Sequence, residues 1–176
     1  LFLFAFCTGL ADPGHDLKAS PVSCLIKSAH HEIGVAEFGH SNSSKRVDQY
    51  LANTNLGPGY PWCAAFIATL HIGCNQPIPP YAARARAWFP DSMTIHRDSA
   101  NLGDLIGLYY RRLGRIGHIG IIVDRGKTYF TSIEGNTNDA GSRTGGMVMK
   151  KYRPIRTVYK TSRWHTNSTS GNSEHQ

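Results

Sequence analysis

The sequence predicts an α+β domain in which N-terminal helices pack on one face of an antiparallel β-sheet. Up to about residue 88 the apolar residues recur at helical spacing, whereas after Gly103 their spacing becomes strand-like. Short glycine-containing connections separate the strand-like segments, which favours an antiparallel meander. A length of 176 residues with 40% apolar residues suits one domain with an extended core.

The first half predicts three helices and a short helical segment. A serine followed by a proline opens the first helix, over about residues 20–32. A second is predicted over residues 45–52 and a third over about 61–74, which the proline-rich segment 76–80 ends. Residues 81–88 are expected to add one or two helical turns.

The second half predicts an antiparallel sheet of about four to six strands, after an irregular segment over residues 90–101. Apolar, β-branched and aromatic residues mark each strand, and glycine or polar residues separate them. The segments concerned are residues 105–110, 118–124, 129–134, 147–152 and 157–159.

One folded domain is expected over residues 20–163, because no repeat or linker divides it. Residues 1–11 are predicted to be the apolar part of a secretory signal peptide, too short to span a bilayer. An N-terminal strand is one alternative, and lipidation of Cys7 is another that the large Phe6 disfavours. Residues 164–176, rich in Ser, Thr, Asn and Gly, are expected to be a disordered tail. A secreted, periplasmic or cell-envelope location follows.

The net charge of +7 predicts an anionic partner such as nucleic acid, a membrane surface or an acidic wall polymer. No arginine-rich run with interleaved aromatics supports specific nucleic-acid binding, and no further apolar run approaches membrane-spanning length. A monomer is expected.

The cysteines allow one disulfide without requiring it. If Cys7 is removed, a Cys24–Cys74 bridge in an oxidising compartment leaves Cys63 free. Two buried free thiols are equally compatible with the sequence.

Cys63 has two interpretations. It lies in the first turn of the third predicted helix, where unpaired N–H groups and the helix dipole favour a thiolate nucleophile. It also shares an inward stripe with Phe66, Ile67, Leu70 and Cys74, which is typical of a core cysteine. This segment alone favours the core interpretation.

A predicted hairpin favours catalysis. A three-residue loop at residues 125–127 would place His118 directly opposite Glu134, close enough for the carboxylate to orient the imidazole. Asn136 would lie one diagonal step further on that face. A two- or four-residue loop would instead put Ile133 opposite His118.

The predicted chemistry is acyl transfer by a Cys63–His118–Glu134 site. Small residues beside the His–Glu pair, Gly120 and Ser132, would let the cysteine helix approach the sheet. Glu134 or Asn136 would orient the imidazole. The Cys63 N–H is a candidate oxyanion donor.

Three motifs resemble those of CHAP domains, the cysteine- and histidine-dependent amidohydrolases and peptidases of papain-like fold. They are Gly59-Tyr60-Pro61-Trp62-Cys63-Ala64-Ala65-Phe66, Gly117-His118-Ile119-Gly120-Ile121-Ile122 and Ile133-Glu134-Gly135-Asn136-Thr137-Asn138. The upstream segments 32–37 and 47–51 also resemble a bacterial and phage-lysin subgroup. The resemblance spans roughly residues 25–155 and keeps the motif order.

The resemblance implies hydrolysis of a peptidoglycan amide, by an N-acetylmuramoyl-L-alanine amidase or a peptide endopeptidase activity. Cys63, His118, Glu134 and Asn136 match the family's catalytic positions. Tyr60 and Trp62, beside the nucleophile, are predicted to contact substrate. No cofactor or metal is expected, because the segment before Cys63 lacks the acidic residues of calcium-binding members.

Other classes of function stay open. A catalytically silent wall-binding protein of the same fold is the main alternative. Zinc binding by Cys63, His118 and Glu134 is less favoured because close ligand pairs are missing, and nucleic-acid binding rests on charge alone. The bond cleaved, the biological role and the source organism are not predicted.

Overall fold

The structure is a computed structural model that describes residues 20–139 and 145–166. Over these residues, three α-helices pack against one six-stranded antiparallel sheet, which confirms the predicted α+β class. No helix in this part of the chain is both long and apolar enough to cross a membrane. The helices are α1 (Pro21–His31), α2 (Lys45–Ala52) and α3 (Cys63–Gly73).

The strand order in the sheet is β1-β6-β2-β3-β4-β5. Strands β2 to β5 form the predicted meander, whereas β6 crosses to the other side of β2 and also pairs with β1. The last strand begins at Lys160 instead of residue 157, because Ile155–Thr157 form a 3₁₀ turn. The strands are β1 (Thr94–Ile95), β2 (Leu105–Tyr110), β3 (Arg115–Arg125), β4 (Tyr129–Thr137), β5 (Met147–Pro154) and β6 (Lys160–Ser162).

The helix starts differ in how their backbone N–H groups are capped. Ser20 caps α1 by accepting a 3.1 Å hydrogen bond from the Ser23 N–H, and Ser44 caps α2 in the same way. Helix α3 begins at Cys63, and its N-cap residue Trp62 makes no side-chain capping bond. The first N–H groups of α3 are therefore not occupied by a capping side chain.

The sheet separates two hydrophobic clusters, as expected from alternating residues on a pleated strand. On β3, Ile119 and Ile121 join the main cluster with the residues of α3, whereas Ile122 joins a smaller cluster with Phe130. Helix α3 is apolar all round and almost fully buried. Its first residue, Cys63, is consequently held by packing on several sides.

A disulfide joins Cys24 on α1 to Cys74 at the end of α3, with the two Cα atoms 5.8 Å apart. Of the two alternatives that the sequence left open, the structure contains the bridge. Cys63 is the free cysteine of the described residues.

The folded domain extends beyond its predicted end at residue 163. The Trp164 side chain is 7% exposed, and its Nε1 donates a 2.7 Å hydrogen bond to the Trp88 carbonyl. His165 Nε2 lies 3.1 Å from the buried Asp104 carboxylate. The prediction of disorder from residue 164 is therefore wrong at these positions. The predicted signal peptide and residues 167–176 lie outside the described residues.

Candidate active site

Cys63 is the first residue of α3 and lines a cleft of about 340 Å³. Its side chain belongs to the main hydrophobic cluster but remains 5% exposed, so it meets both the core and the cleft. Cys63 therefore packs in the core, as one interpretation predicts, and also reaches a cleft, as the other interpretation requires. The cleft is also lined by Leu56, Tyr60, Pro61, Ala83, Arg84, Ala85, Arg115 and Gly117.

His118 on β3 and Glu134 on β4 form a buried hydrogen-bonded pair. His118 Nε2 donates to Glu134 Oε2 across 2.9 Å, and neither side chain is exposed to solvent. The structure thus brings together the two residues that the hairpin argument paired.

The register that pairs them differs from the predicted one. Arg125 pairs with Phe130, so four residues, 126–129, separate the last paired residues of β3 and β4, and this register reverses the predicted parity. A β-bulge between Ile122 and Asp124 then restores the parity. His118 and Glu134 consequently share a face as diagonal neighbours, not as directly opposed residues.

The small residues near this pair also act differently from the prediction. A Cβ atom on Gly120 would lie 2.6 Å from Glu134 Cγ, so Gly120 makes room for the carboxylate side chain. The helix approaches the sheet at Gly135, where a Cβ would lie 2.9 Å from Phe66 Cβ on α3. The prediction that Gly120 and Ser132 accommodate the helix is therefore corrected.

Glu134 has two further partners, Arg153 and Ser132, whose contacts with it the sequence analysis did not predict. Arg153 on β5 forms a bidentate ion pair with it, at 2.8 Å from Nε to Oε1 and 2.5 Å from Nη2 to Oε2. The Ser132 hydroxyl donates to Oε1 across 2.6 Å. Burial alone would raise the pKa of the Glu134 carboxyl, but the bonds from Arg153 and His118 lower that pKa to about 2. The carboxylate is ionised at neutral pH.

The other ring nitrogen of His118, Nδ1, has no hydrogen-bond partner among the described residues. Burial disfavours the imidazolium, but the nearby Cys63 sulfur and the Glu134 carboxylate outweigh burial and raise the pKa of His118 to about 9. Cys63 and His118 are neighbours that no hydrogen bond joins. This arrangement favours a charged imidazolium beside the cysteine.

Asn136 makes no hydrogen bond to His118 among the described residues. It lies in a bulge between Glu134 and Thr137 and has a left-handed φ of 54°, which turns its side chain away from the expected position. Its Nδ2 donates to Asn42 Oδ1 across 3.3 Å, and the Asn42 carbonyl accepts from the Gly59 N–H. Glu134 therefore orients the imidazole, while Asn136 supports the loop before Cys63.

The two residues predicted to contact substrate have different environments. Tyr60 is 55% exposed and lines the cleft, where it is accessible to a ligand. Trp62 is fully buried, and its Nε1 donates a 3.0 Å hydrogen bond to Glu37 Oε2. The substrate role predicted for Trp62 is therefore wrong, because packing under the loop removes this side chain from the cleft.

The two contacts of Glu134 that the sequence analysis did not predict differ in how far they could have been found. Ser132 lies two residues before Glu134 on the same strand, so strand alternation alone places both on one face. Arg153 reaches Glu134 only through the pairing of β4 with β5, and the sequence between the two strands does not fix that register. No local signal marks it.

The described residues contain no group of three or more His, Cys, Asp or Glu side chains that could hold a metal ion. No protein-family model and no curated protein matches this chain. A cysteine at a helix start, a neighbouring histidine and a carboxylate behind that histidine are the parts of a nucleophilic acyl-transfer site.

Proposed function

We propose that this protein is a secreted cysteine hydrolase of the CHAP type, with a papain-like fold, that cleaves an amide bond of peptidoglycan. One observation carries the proposal. Cys63 begins helix α3 beside His118, and His118 Nε2 is hydrogen-bonded to the buried Glu134 carboxylate. The three site motifs resemble those of CHAP domains and keep their order, which supports peptidoglycan as the substrate.

The first half of the reaction forms a thioester. The Cys63 thiolate attacks the amide carbonyl carbon, and the backbone N–H of Cys63 at the start of α3 donates to the developing oxyanion. When the tetrahedral intermediate collapses, the C–N bond breaks and the His118 imidazolium gives its proton to the leaving amine. Glu134 holds the ring and stabilises its charge.

The second half regenerates the enzyme. His118, now neutral, takes a proton from water, and the hydroxide attacks the thioester carbonyl. The C–S bond breaks, which releases the carboxylic acid product, and the cysteine returns to its pair with the protonated His118. Water is the only co-reactant.

The experiment is release of soluble muropeptides from purified peptidoglycan, followed by mass spectrometry. Cys63→Ala and His118→Ala are expected to lower the rate by about 100-fold or more, because each removes a group that the chemistry requires. The matched control is His31→Ala on the exposed side of α1, which should release products at the wild-type rate.

Full activity in Cys63→Ala with unchanged melting temperature would exclude the cysteine mechanism. The main alternative is a catalytically silent wall-binding protein. It predicts that the wild-type protein pellets with cell walls without releasing products, and that iodoacetamide leaves Cys63 unlabelled at neutral pH.

A further inference from the structure

The cleft that contains Cys63 is lined by two arginines and, among the described residues, by no carboxylate. Arg84 comes from the segment before a 3₁₀ turn at Ala85–Trp88, and Arg115 comes from the start of β3. Both side chains are exposed to solvent. Two chain segments far apart in sequence therefore bring positive charge to the cleft of the candidate nucleophile.

The backbone at Arg84 is held by a rigid framework. Its N–H donates a 2.8 Å hydrogen bond to the Tyr81 carbonyl, and the buried Trp88 donates 2.8 Å from Nε1 to the Ala82 carbonyl. The guanidinium carbon lies 4.9 Å from the centre of the Tyr81 ring. Stacking on this ring limits the directions in which the guanidinium can extend.

Arg115 is the first residue of β3, the strand that also carries His118, the candidate base. It pairs with Tyr110 across the β2–β3 ladder, and Gly117 of the same strand lines the cleft immediately before His118. Strand geometry therefore sets the separation between the backbones of Arg115 and His118.

Neither Arg84 nor Arg115 forms an ion pair with any residue that the structure describes. Three carboxylates that are almost fully buried each hold another arginine instead. An arginine that pairs with no carboxylate of the described residues, and that lines the cleft of Cys63, is available to bind an anionic group of a ligand. Guanidinium groups bind carboxylates in a bidentate geometry that a carboxamide does not reproduce.

We propose that Arg84 and Arg115 recognise a free carboxylate of the substrate peptide close to the scissile amide. The preferred substrate is then a peptidoglycan stem peptide whose carboxyl groups are free, and amidation of those groups weakens recognition. The inference rests on the proposed amide hydrolysis, since it concerns the substrate class of the same site.

The test uses two sets of muropeptides that differ only in whether the stem-peptide carboxyls are free or amidated. The wild-type protein is expected to show kcat/KM about tenfold higher for the free-carboxyl set, from one charge-assisted hydrogen-bonded pair in a partly exposed cleft. In Arg84→Gln/Arg115→Gln this preference should fall below about twofold, mainly through KM for the free-carboxyl set. Arg86→Gln/Arg112→Gln is the matched control, since these exposed arginines do not line the cleft, and it should keep the preference.

Binding to the Cys63→Ala variant, measured by calorimetry with both sets, separates this inference from the proposed reaction. If the wild-type protein cleaves neither set, the proposed function fails, while tighter binding of the free-carboxyl set still supports the arginine site. If cleavage depends on Cys63 but the two sets react and bind equally, the arginine site is excluded. If Arg86→Gln/Arg112→Gln loses the preference for the free-carboxyl set to the same extent, the arginine site is also excluded, because general surface charge would then explain the effect.

Discussion

Three other residues of the candidate site are hydrogen-bonded to Glu134. Its carboxylate accepts hydrogen bonds from His118 Nε2, from Nε and Nη2 of Arg153, and from the Ser132 hydroxyl. A buried carboxylate is tolerated when it is paired and hydrogen-bonded in this way. Arg153 thus stabilises the ionised form of Glu134, and ionised Glu134 stabilises the charged form of His118.

This chain of interactions predicts how activity depends on pH. His118 is protonated below its raised pKa of about 9 and neutral above it. Because the proposed reaction needs an imidazolium to protonate the leaving amine, kcat/KM should fall as the pH rises through about 9. In Glu134→Gln the raising effect of the carboxylate is lost, so this alkaline limb should move to lower pH and kcat/KM should fall about 100-fold.

The control is Ser132→Ala, which keeps the Glu134 charge and should leave the alkaline limb close to its wild-type position. Glu134→Gln/Arg153→Met is measured in parallel, since it avoids leaving a mostly buried cation without its partner. An alkaline limb that stays in place in both Glu134 variants would contradict the assigned role of the carboxylate.

The contact between α3 and β4 sets the position of Cys63. Gly135 lies against Phe66 and Trp62, and a Cβ at that position would be 2.9 Å from atoms of each. Both aromatic side chains are fully buried, so neither can move aside easily. The absence of a side chain at Gly135 therefore allows the first turn of α3 to rest on the sheet.

Gly135→Ala should lower the free energy of unfolding by about 1–3 kcal/mol, because the added methyl overpacks this contact. It should also lower kcat, since the displaced helix start carries Cys63. Gly73→Ala at the end of the same helix is the matched control. A Cβ there meets nothing within 4 Å, so unfolding by denaturant should show little change. A wild-type midpoint for Gly135→Ala would contradict the close-contact argument.

Two long-range connections hold the whole domain together. The Cys24–Cys74 bridge closes a sequence separation of 50 residues and ties α1 to the end of α3. Near the end of the described chain, Arg163 and His165 both bond to Asp104, which is fully buried. These bonds hold the segment after β6 against the domain.

Cys24→Ser/Cys74→Ser should lower the free energy of unfolding by about 4 kcal/mol, because the bridge restricts the unfolded chain over a long loop. Activity of the folded fraction should persist, since Cys63 is outside the bridge. Ser28→Ala is the control, because the Ser28 hydroxyl lies 3.7 Å from the Cys74 sulfur without belonging to the bridge. Urea unfolding measures both, and an unchanged midpoint for the double variant would show that the bridge contributes little.

Local patterns along the chain were sufficient for the fold class, for the three helices and for the meander from β2 to β5. Caps, prolines and apolar periodicity act within a few residues, so they are visible without the tertiary structure. The same patterns singled out Cys63, His118 and Glu134, because a helix start and a hairpin are local features. The chemistry proposed for them stays a prediction until it is measured.

Tertiary structure decided the features that depend on contacts between distant segments. A bulge in β3 and a shifted pairing next to the turn cancel to keep His118 and Glu134 on one face, and Arg153 joins them through a register that no local pattern encodes. Trp62 is buried instead of contacting substrate, because Glu37 and the core enclose it. Strand register and side-chain burial are properties of the packed chain, and neighbouring residues along the sequence do not determine them.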